Sequence, residues 1–170
     1  MIKAYVENDV CLIYRTRDRF GKLSNMCAGM PVWHNGTEWN SSEALYQALR
    51  FPQRPDIHAA INAERNGFLS KQVAHRHKDE TRADWQSVKV PIMEQVLRLK
   101  TAQYLVAIST ELDLTGERDI VEKSLRDDFW GAIPDDMGKV HGENVLGILW
   151  MIIREMIRQD QFDETVELEI

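Results

Sequence analysis

The chain has 170 residues, 44% of them hydrophobic and 28% charged, and its 27 acidic residues outweigh 21 basic ones to leave a net charge of −6. Nine glycines and five prolines are too few for a collagenous or Pro/Gly-rich disordered chain, and the apolar fraction suits a packed globular core. The acidic balance argues against a broad nucleic-acid-coating face, while leaving room for a local basic cleft.

Residues Val10 to Arg15 form a short apolar, β-branched run that reads as a strand. Pro31–Trp33 and Thr37–Trp39 flank Asn35-Gly36, the pair that best tolerates the positive φ angles of a two-residue hairpin turn. Asn40-Ser41-Ser42-Glu43 then supplies N-cap side chains for a helix over Ala44 to Phe51, stopped by Pro52. A second helix is expected from Pro55 to about Arg65, closed by Asn66-Gly67 as a left-handed cap, and a short third one from Phe68 to about His77. A long helical period follows Trp85 through Met93, Val96, Leu97 and Lys100, with Pro91 either kinking it or marking its start. Tyr104 to Ile108 continues as helix and Asp119 to Ser124 reads as a strand. The loop from Arg126 to Gly138 has the turn chemistry of a binding loop. The last helix starts near Gly142-Glu143-Asn144, and apolar residues from Val145 to Ile157 cover nearly its whole circumference, which predicts full burial. The expectation is an α+β fold: a mostly helical single domain over residues 1–160 with a small N-terminal β element, then a frayed or strand-like tail over 161–170.

On the helix after Ser42, a step of about 100° per residue sets Glu43, Tyr46, Gln47 and Arg50 on one arc, opposite Ala44, Leu45, Ala48 and Leu49. Glu43 lies in the first turn, where backbone N–H groups and the helix dipole favour its ionised form. This arc is either a specific polar face or an ordinary solvated one. In the loop, Asp127-Asp128-Phe129-Trp130-Gly131 sets carboxylates and large aromatics beside a flexible glycine, suited to stacking a flat base or simply to anchoring the loop. Gly142-x-Asn144 offers either helix-start N–H groups for a phosphate or a plain N-cap.

His75-x-His77 does not present two ligands on one helix face, and no metal is expected. Walker, dinucleotide-binding, Gly-x-Ser-x-Gly and HExxH patterns do not occur, so no nucleotide-triphosphate, redox or zinc-protease machinery and no cofactor is expected. Two cysteines, Cys11 and Cys27, are too few for a disulfide framework and are expected to be reduced. With no apolar run of about 18 residues and no signal-like start, a cytoplasmic protein without membrane association is the expectation.

Five segments taken in order resemble the NADAR family: Phe20-Gly-Lys-Leu-Ser-Asn25; Trp39-Asn-Ser-Ser-Glu43-Ala-Leu-Tyr-Gln47-Ala-Leu-Arg50-Phe51; Trp85-x-x-Val88-Lys89 with Met93 and Lys100; Trp130-Gly131; and Gly142-x-Asn144-x-Leu146-Gly147 with Met151 and Arg154-Glu155. The resemblance implies an N-glycosidase that hydrolyses a ribose C1′–N bond. Its substrate would be a phosphorylated ribosylamine of the riboflavin-intermediate type or, alternatively, guanine in DNA carrying ADP-ribose. A binding module for ADP-ribose or NAD that does not cut its ligand is the rival from another class. By the resemblance, Glu43 stabilises an oxocarbenium ion or activates water, and Asp128 is the candidate second carboxylate. Asn25, Gln47, Arg50, Trp85, Trp130, Gly131 and Asn144 would line the pocket, with Arg50 and the helix start at Asn144 towards phosphate. The chain departs from the commoner pattern at Ala44 (for His), at Arg50 (for Lys) and in the longer Ala132–Met137 loop, and these positions bear on substrate choice. The feature that would favour a nucleic-acid substrate is a basic rim, for which Arg15, Arg17, Arg19 and Lys22 are the dense cluster, otherwise read as a solvated loop. The oligomeric state is not legible in the sequence.

Overall fold

The computed structural model describes residues 2–166 and 168. In chain order these form β1 (Lys3–Val6), β2 (Cys11–Ile13), β3 (Val32–His34), β4 (Thr37–Trp39), α1 (Ser42–Ala48), α2 (Pro55–Asn62), α3 (Gly67–Arg76), α4 (Trp85–Gln103), α5 (Leu105–Asp113), β5 (Ile120–Glu122), β6 (Ile133–Pro134), β7 (Lys139–Gly142) and α6 (Val145–Arg158). The fold is α+β and mostly helical, as expected, but it has further strands in the later half of the chain, β6 inside the stretch that reads as loop and β7 just after it. Two compact units divide it: Met1–Ser24 with Leu105–Asp163, and Asn25–Tyr104 with Glu164–Ile170.

In the first unit β7 lies between β1 and β6, antiparallel to both, while β2 pairs in parallel with β5 in the register Cys11↔Ile120 to Ile13↔Glu122. A parallel pair needs a crossover, and the connection here is residues 14–119, which carry β3, β4 and α1 to α5. Tyr5, Val121, Ala132 and Val140 form a core against which Val10 and Leu12 pack. Helix α6 buries Leu146, Leu149, Trp150 and Ile153, and the Trp150 indole N–H donates to the Leu23 carbonyl at 2.9 Å. The expected all-round burial of α6 is corrected by Ile148 and Ile152, which are 41% and 44% exposed: the helix is buried on one side, and its exposed side carries these two isoleucines as well as Glu155 and Arg158.

In the second unit Asn35 and Gly36 take φ of 48° and 73°, the pair of positive angles a two-residue hairpin needs between β3 and β4. The outer edge of β3 is closed by Gln103, whose side chain accepts from Trp33 N–H at 2.9 Å and donates to Trp33 C=O at 2.8 Å. Pro55 sits at the first turn of α2. The expected left-handed cap at Asn66-Gly67 is instead the start of α3: Asn66 has an extended φ of −161°, and its side chain accepts from Leu69 N–H. Pro91 lies inside α4, on its exposed side with Ser87, whose carbonyl loses its in-helix donor. The described part of the tail, residues 161–166 and 168, contains no strand, and its remaining residues lie outside the described ones.

Candidate active site

Ser41 caps α1 in extended geometry, its Oγ accepting from Ala44 N–H at 3.2 Å. Glu43 follows in the first turn. Its N–H donates to the Asn25 carbonyl at 3.0 Å, and Ser42 Oγ donates to the same oxygen at 3.3 Å, so Asn25 is seated at the helix start. From the other side the N-terminus of α3 closes in. A Cβ on Gly67 would lie 2.9 Å from both Glu43 Cβ and Ser41 Oγ, so only glycine permits this approach.

The helix face carrying Glu43 is not a solvated arc. Glu43, Tyr46 and Gln47 are 5%, 4% and 3% exposed, because α1 is packed among α2, α3, α4 and β4 and is covered on every side. Its polar groups are instead held by one another. Gln47 Nε2 donates to Glu43 Oε1 at 2.8 Å, Arg50 Nη1 donates to Gln47 Oε1 at 2.9 Å, and Arg50 Nη2 donates to Thr81 Oγ1 at 3.0 Å. The Arg50 guanidinium lies 5.5 Å from the ring centroids of Phe51 and Trp85, and Trp85 in turn packs on Tyr46 at 5.1 Å. Burial pulls the Arg50 pKa below the usual arginine range, with Tyr46 and Glu43 acting in the opposite direction.

Asn25 is oriented by Met93: its Nδ2 donates to the thioether sulfur at 3.0 Å, which leaves Oδ1 buried without a donor. Among the described residues, the buried side-chain polar atoms without a partner are Asn25 Oδ1, Trp39 Nε1, Arg50 Nε, His58 Nε2, Gln95 Oε1 and, in the first unit, Arg154 Nε. Lys100 is a residue that sequence reasoning quoted but did not place in a site. It is fully buried on α4, one heptad after Met93, and burial pushes its ammonium pKa down to about 8 against a smaller opposing effect of Cys27. The signal was available: a lysine at the period of Met93, Val96 and Leu97 falls on the apolar face of its helix. Thr81, which braces Arg50, carried no such signal.

Asp128, Trp130, Gly131 and Asn144 belong to the first unit. Asp127 Oδ1 accepts from the N–H groups of Phe129 (3.1 Å) and Trp130 (2.9 Å), so this carboxylate builds the turn. Asp128 is exposed, Trp130 is half-buried with its ring edge-on to Phe129, and a Cβ on Gly131 would lie 2.5 Å from the Glu122 carbonyl. The start of α6 is not open to an anion. Glu143, Asn144, Val145 and Leu146 N–H donate in turn to the carbonyls of Asp128, Gly131, Phe129 and Trp130. Asn144 itself stands in the left-handed region (φ 52°) and does not cap: its Oδ1 accepts from Glu122 N–H and its Nδ2 donates to the Ile120 carbonyl, tying the helix start to β5. The structure thus gathers Asn25, Glu43, Gln47, Arg50 and Trp85 within one unit and holds the other four expected residues in the other. Among the described residues no group of three His, Cys, Asp or Glu side chains is placed to hold a metal, and no helix is long and apolar enough to cross a membrane.

The chain belongs to the NADAR domain family, whose model matches residues 13–158. It is 28% identical over 156 residues to the N-glycosidase YbiA of Escherichia coli, covering 92% of this chain and 93% of that one. It is 33% identical over 152 residues to an N-glycosidase of Nostoc punctiforme, with 85% and 90% covered. A riboflavin biosynthesis protein of Vibrio vulnificus is 28% identical over 160 residues, which are 93% of this chain and 41% of that longer one. The NMR structure of E. coli YbiA superimposes with a TM-score of 0.72 at 26% identity, covering 90% of this chain and 88% of that one.

Proposed function

We propose that this NADAR-domain protein is an N-glycosidase that hydrolyses the ribose C1′–N bond of a phosphorylated ribosylamine of the riboflavin-intermediate type. The observation that carries the reading is Glu43: a carboxylate on the first turn of α1, buried and held by a donated hydrogen bond from Gln47. Support also comes from the family, from relatives named N-glycosidases, and from one named a riboflavin biosynthesis protein.

In this chemistry the C1′–N bond breaks with its electron pair leaving on nitrogen, the ribosyl carbon gains oxocarbenium character, and water supplies hydroxyl to C1′ and a proton to the departing amine. A fixed carboxylate stabilises that positive charge more than it stabilises the neutral ground state, which is what accelerates the step. Arg50, stacked on two aromatic rings and hydrogen-bonded to neutral oxygens of Gln47 and Thr81, is the cation for the substrate phosphate.

The test is a paired turnover assay of wild type and Glu43→Gln on a ribosylamino-pyrimidine phosphate and on ADP-ribosylated single-stranded DNA, reading released sugar phosphate or ADP-ribose by mass spectrometry. Cleavage of the pyrimidine substrate, lost by a factor of about 100 or more in the variant, supports the proposal. Cleavage of the DNA substrate alone moves the substrate to modified DNA. Binding of either substrate without cleavage makes the domain a reader rather than an enzyme.

A further inference from the structure

The carboxylate of Glu43 lies on α1 and the guanidinium of Arg50 belongs to the turn two residues beyond the helix end, yet an amide stands between them. Gln47 is 3% exposed and both ends of its side chain are committed, Nε2 to Glu43 Oε1 at 2.8 Å and Oε1 to Arg50 Nη1 at 2.9 Å. Only this orientation of the amide satisfies both neighbours, since the reverse would face NH₂ to guanidinium and oxygen to carboxylate. The two charges are thereby held no more than about 8 Å apart across the amide, given ordinary bond lengths. Without the amide, two opposite charges this close in a poorly solvated place would collapse into a direct ion pair.

A direct pair would defeat both ends of the site. Glu43 neutralised by a cation cannot offer its charge to a ribosyl cation, and Arg50 neutralised by a carboxylate cannot offer its own to a phosphate. Arg50 shows the signs of being kept in reserve: its guanidinium donates hydrogen bonds to the neutral oxygens of Gln47 and Thr81 and lies over the rings of Phe51 and Trp85, and its buried Nε has no acceptor. The chain between α3 and α4 secures it further, Arg82 N–H donating to the Arg50 carbonyl at 2.9 Å.

We infer that Gln47 is a positioning residue, an insulating amide that keeps Glu43 and Arg50 apart as separate charges, with Thr81 as the second brace that holds the guanidinium away from the carboxylate. This assigns Gln47 a role other than contact with substrate, and it rests on the N-glycosidase reading of Glu43.

The test is an epistasis experiment on kcat, with folding checked by circular dichroism. Gln47→Leu, which removes the spacer and lets Arg50 close on Glu43, is expected to lower kcat about 100-fold. Adding Arg50→Met removes the intruding cation, so the double variant is expected to recover kcat about 10-fold over Gln47→Leu while its KM for the phosphorylated substrate rises. A structural or substrate-contacting glutamine gives the opposite sign, the double variant being as slow as the single one or slower, and that result overturns the inference. Gln47→Met, whose flexible chain fills similar volume, carries the same comparison if the leucine variant does not fold. Glu43→Gln is assayed alongside. Turnover equal to wild type there would sink the reading of Glu43 itself, whereas an inactive Glu43→Gln with no recovery in the double variant rejects the spacer alone.

Discussion

The buried lysine gives the fold a measurable alkaline signature. Lys100 is 0% exposed, and burial lowers its pKa from 10.5 to about 8. Because the folded value lies below the unfolded one, the unfolded chain binds the extra proton between them, and stability rises with pH across that window. Below pH 8 the ammonium is charged in both states and its burial penalty is present in full. Between pH 8 and 10.5 that penalty is released, for a total of about 3 kcal/mol, most of it recovered by pH 10. The Cys11 thiol and Tyr104 phenol, both held above their ordinary values chiefly by burial, act with the opposite sign in the alkaline range. They are common to wild type and Lys100→Met, so the difference between the two isolates the lysine. Urea unfolding of both proteins from pH 7 to 10 at constant ionic strength is the assay. Wild type is expected to gain on the variant by about 2 to 3 kcal/mol over that range. A difference that stays flat means the amine is solvated or held as a cation by its surroundings, and the argument from burial fails.

Three further outcomes follow from the same structure. Gly67→Ala drives a methyl group to 2.9 Å from Glu43 Cβ and Ser41 Oγ, so despite alanine's helix preference it is expected to cost about 1 to 3 kcal/mol and to lower kcat, read by thermal melting and turnover. Asn144→Ala removes both bonds to β5 and places a Cβ-bearing residue without side-chain compensation at a φ of 52°, for about 2 to 4 kcal/mol in denaturant unfolding; Asn144→Gly, free of the backbone penalty, is expected to lose less. Glu43→Gln is expected to fold, because the amide keeps the size and can still accept from Gln47, so its lost turnover reports charge rather than collapse; circular dichroism alongside the assay checks this.

Where local chemistry decides conformation, the sequence was legible. Asn35-Gly36 requires positive φ and turned as expected, and Ser41 capped α1 through the side-chain oxygen that its residue type supplies. The short runs that became β2 and β5 were readable as β-branched segments, but their parallel pairing across the second unit was not. Strands β1, β6 and β7 were invisible because they are 2 to 4 residues long and depend on partners distant in sequence, such as Lys3 opposite Gly142. Asn66-Gly67 was misread because both ends of a helix accept such a pair. The Leu69 N–H donated to Asn66 decides for a start, a bond that needs the next helix to exist. Glu43, Tyr46 and Gln47 of the polar arc fall on α1 and Arg50 just beyond its end, but the choice between a specific face and a solvated one was not legible, since periodicity separates two faces without saying that either meets water.

That open choice bears on how a binding site is recognised. Asn144 and the start of α6 had the residue types of a phosphate site, but their donors and acceptors are consumed by backbone groups of β5 and of residues 128–131. Asp127 is likewise spent on its own turn. In the second unit the balance differs: Asn25 Oδ1 and Arg50 Nε are buried with no partner, on residues hydrogen-bonded to Glu43 N–H and to the Gln47 that braces the Glu43 carboxylate. Buried polar atoms in a folded protein are satisfied by protein, water or ligand, and a cluster of them around a charged side chain is where an external partner is needed. Residue type and spacing nominated both places alike; only the destination of each hydrogen bond separates the scaffold at Asn144 from the candidate site at Glu43.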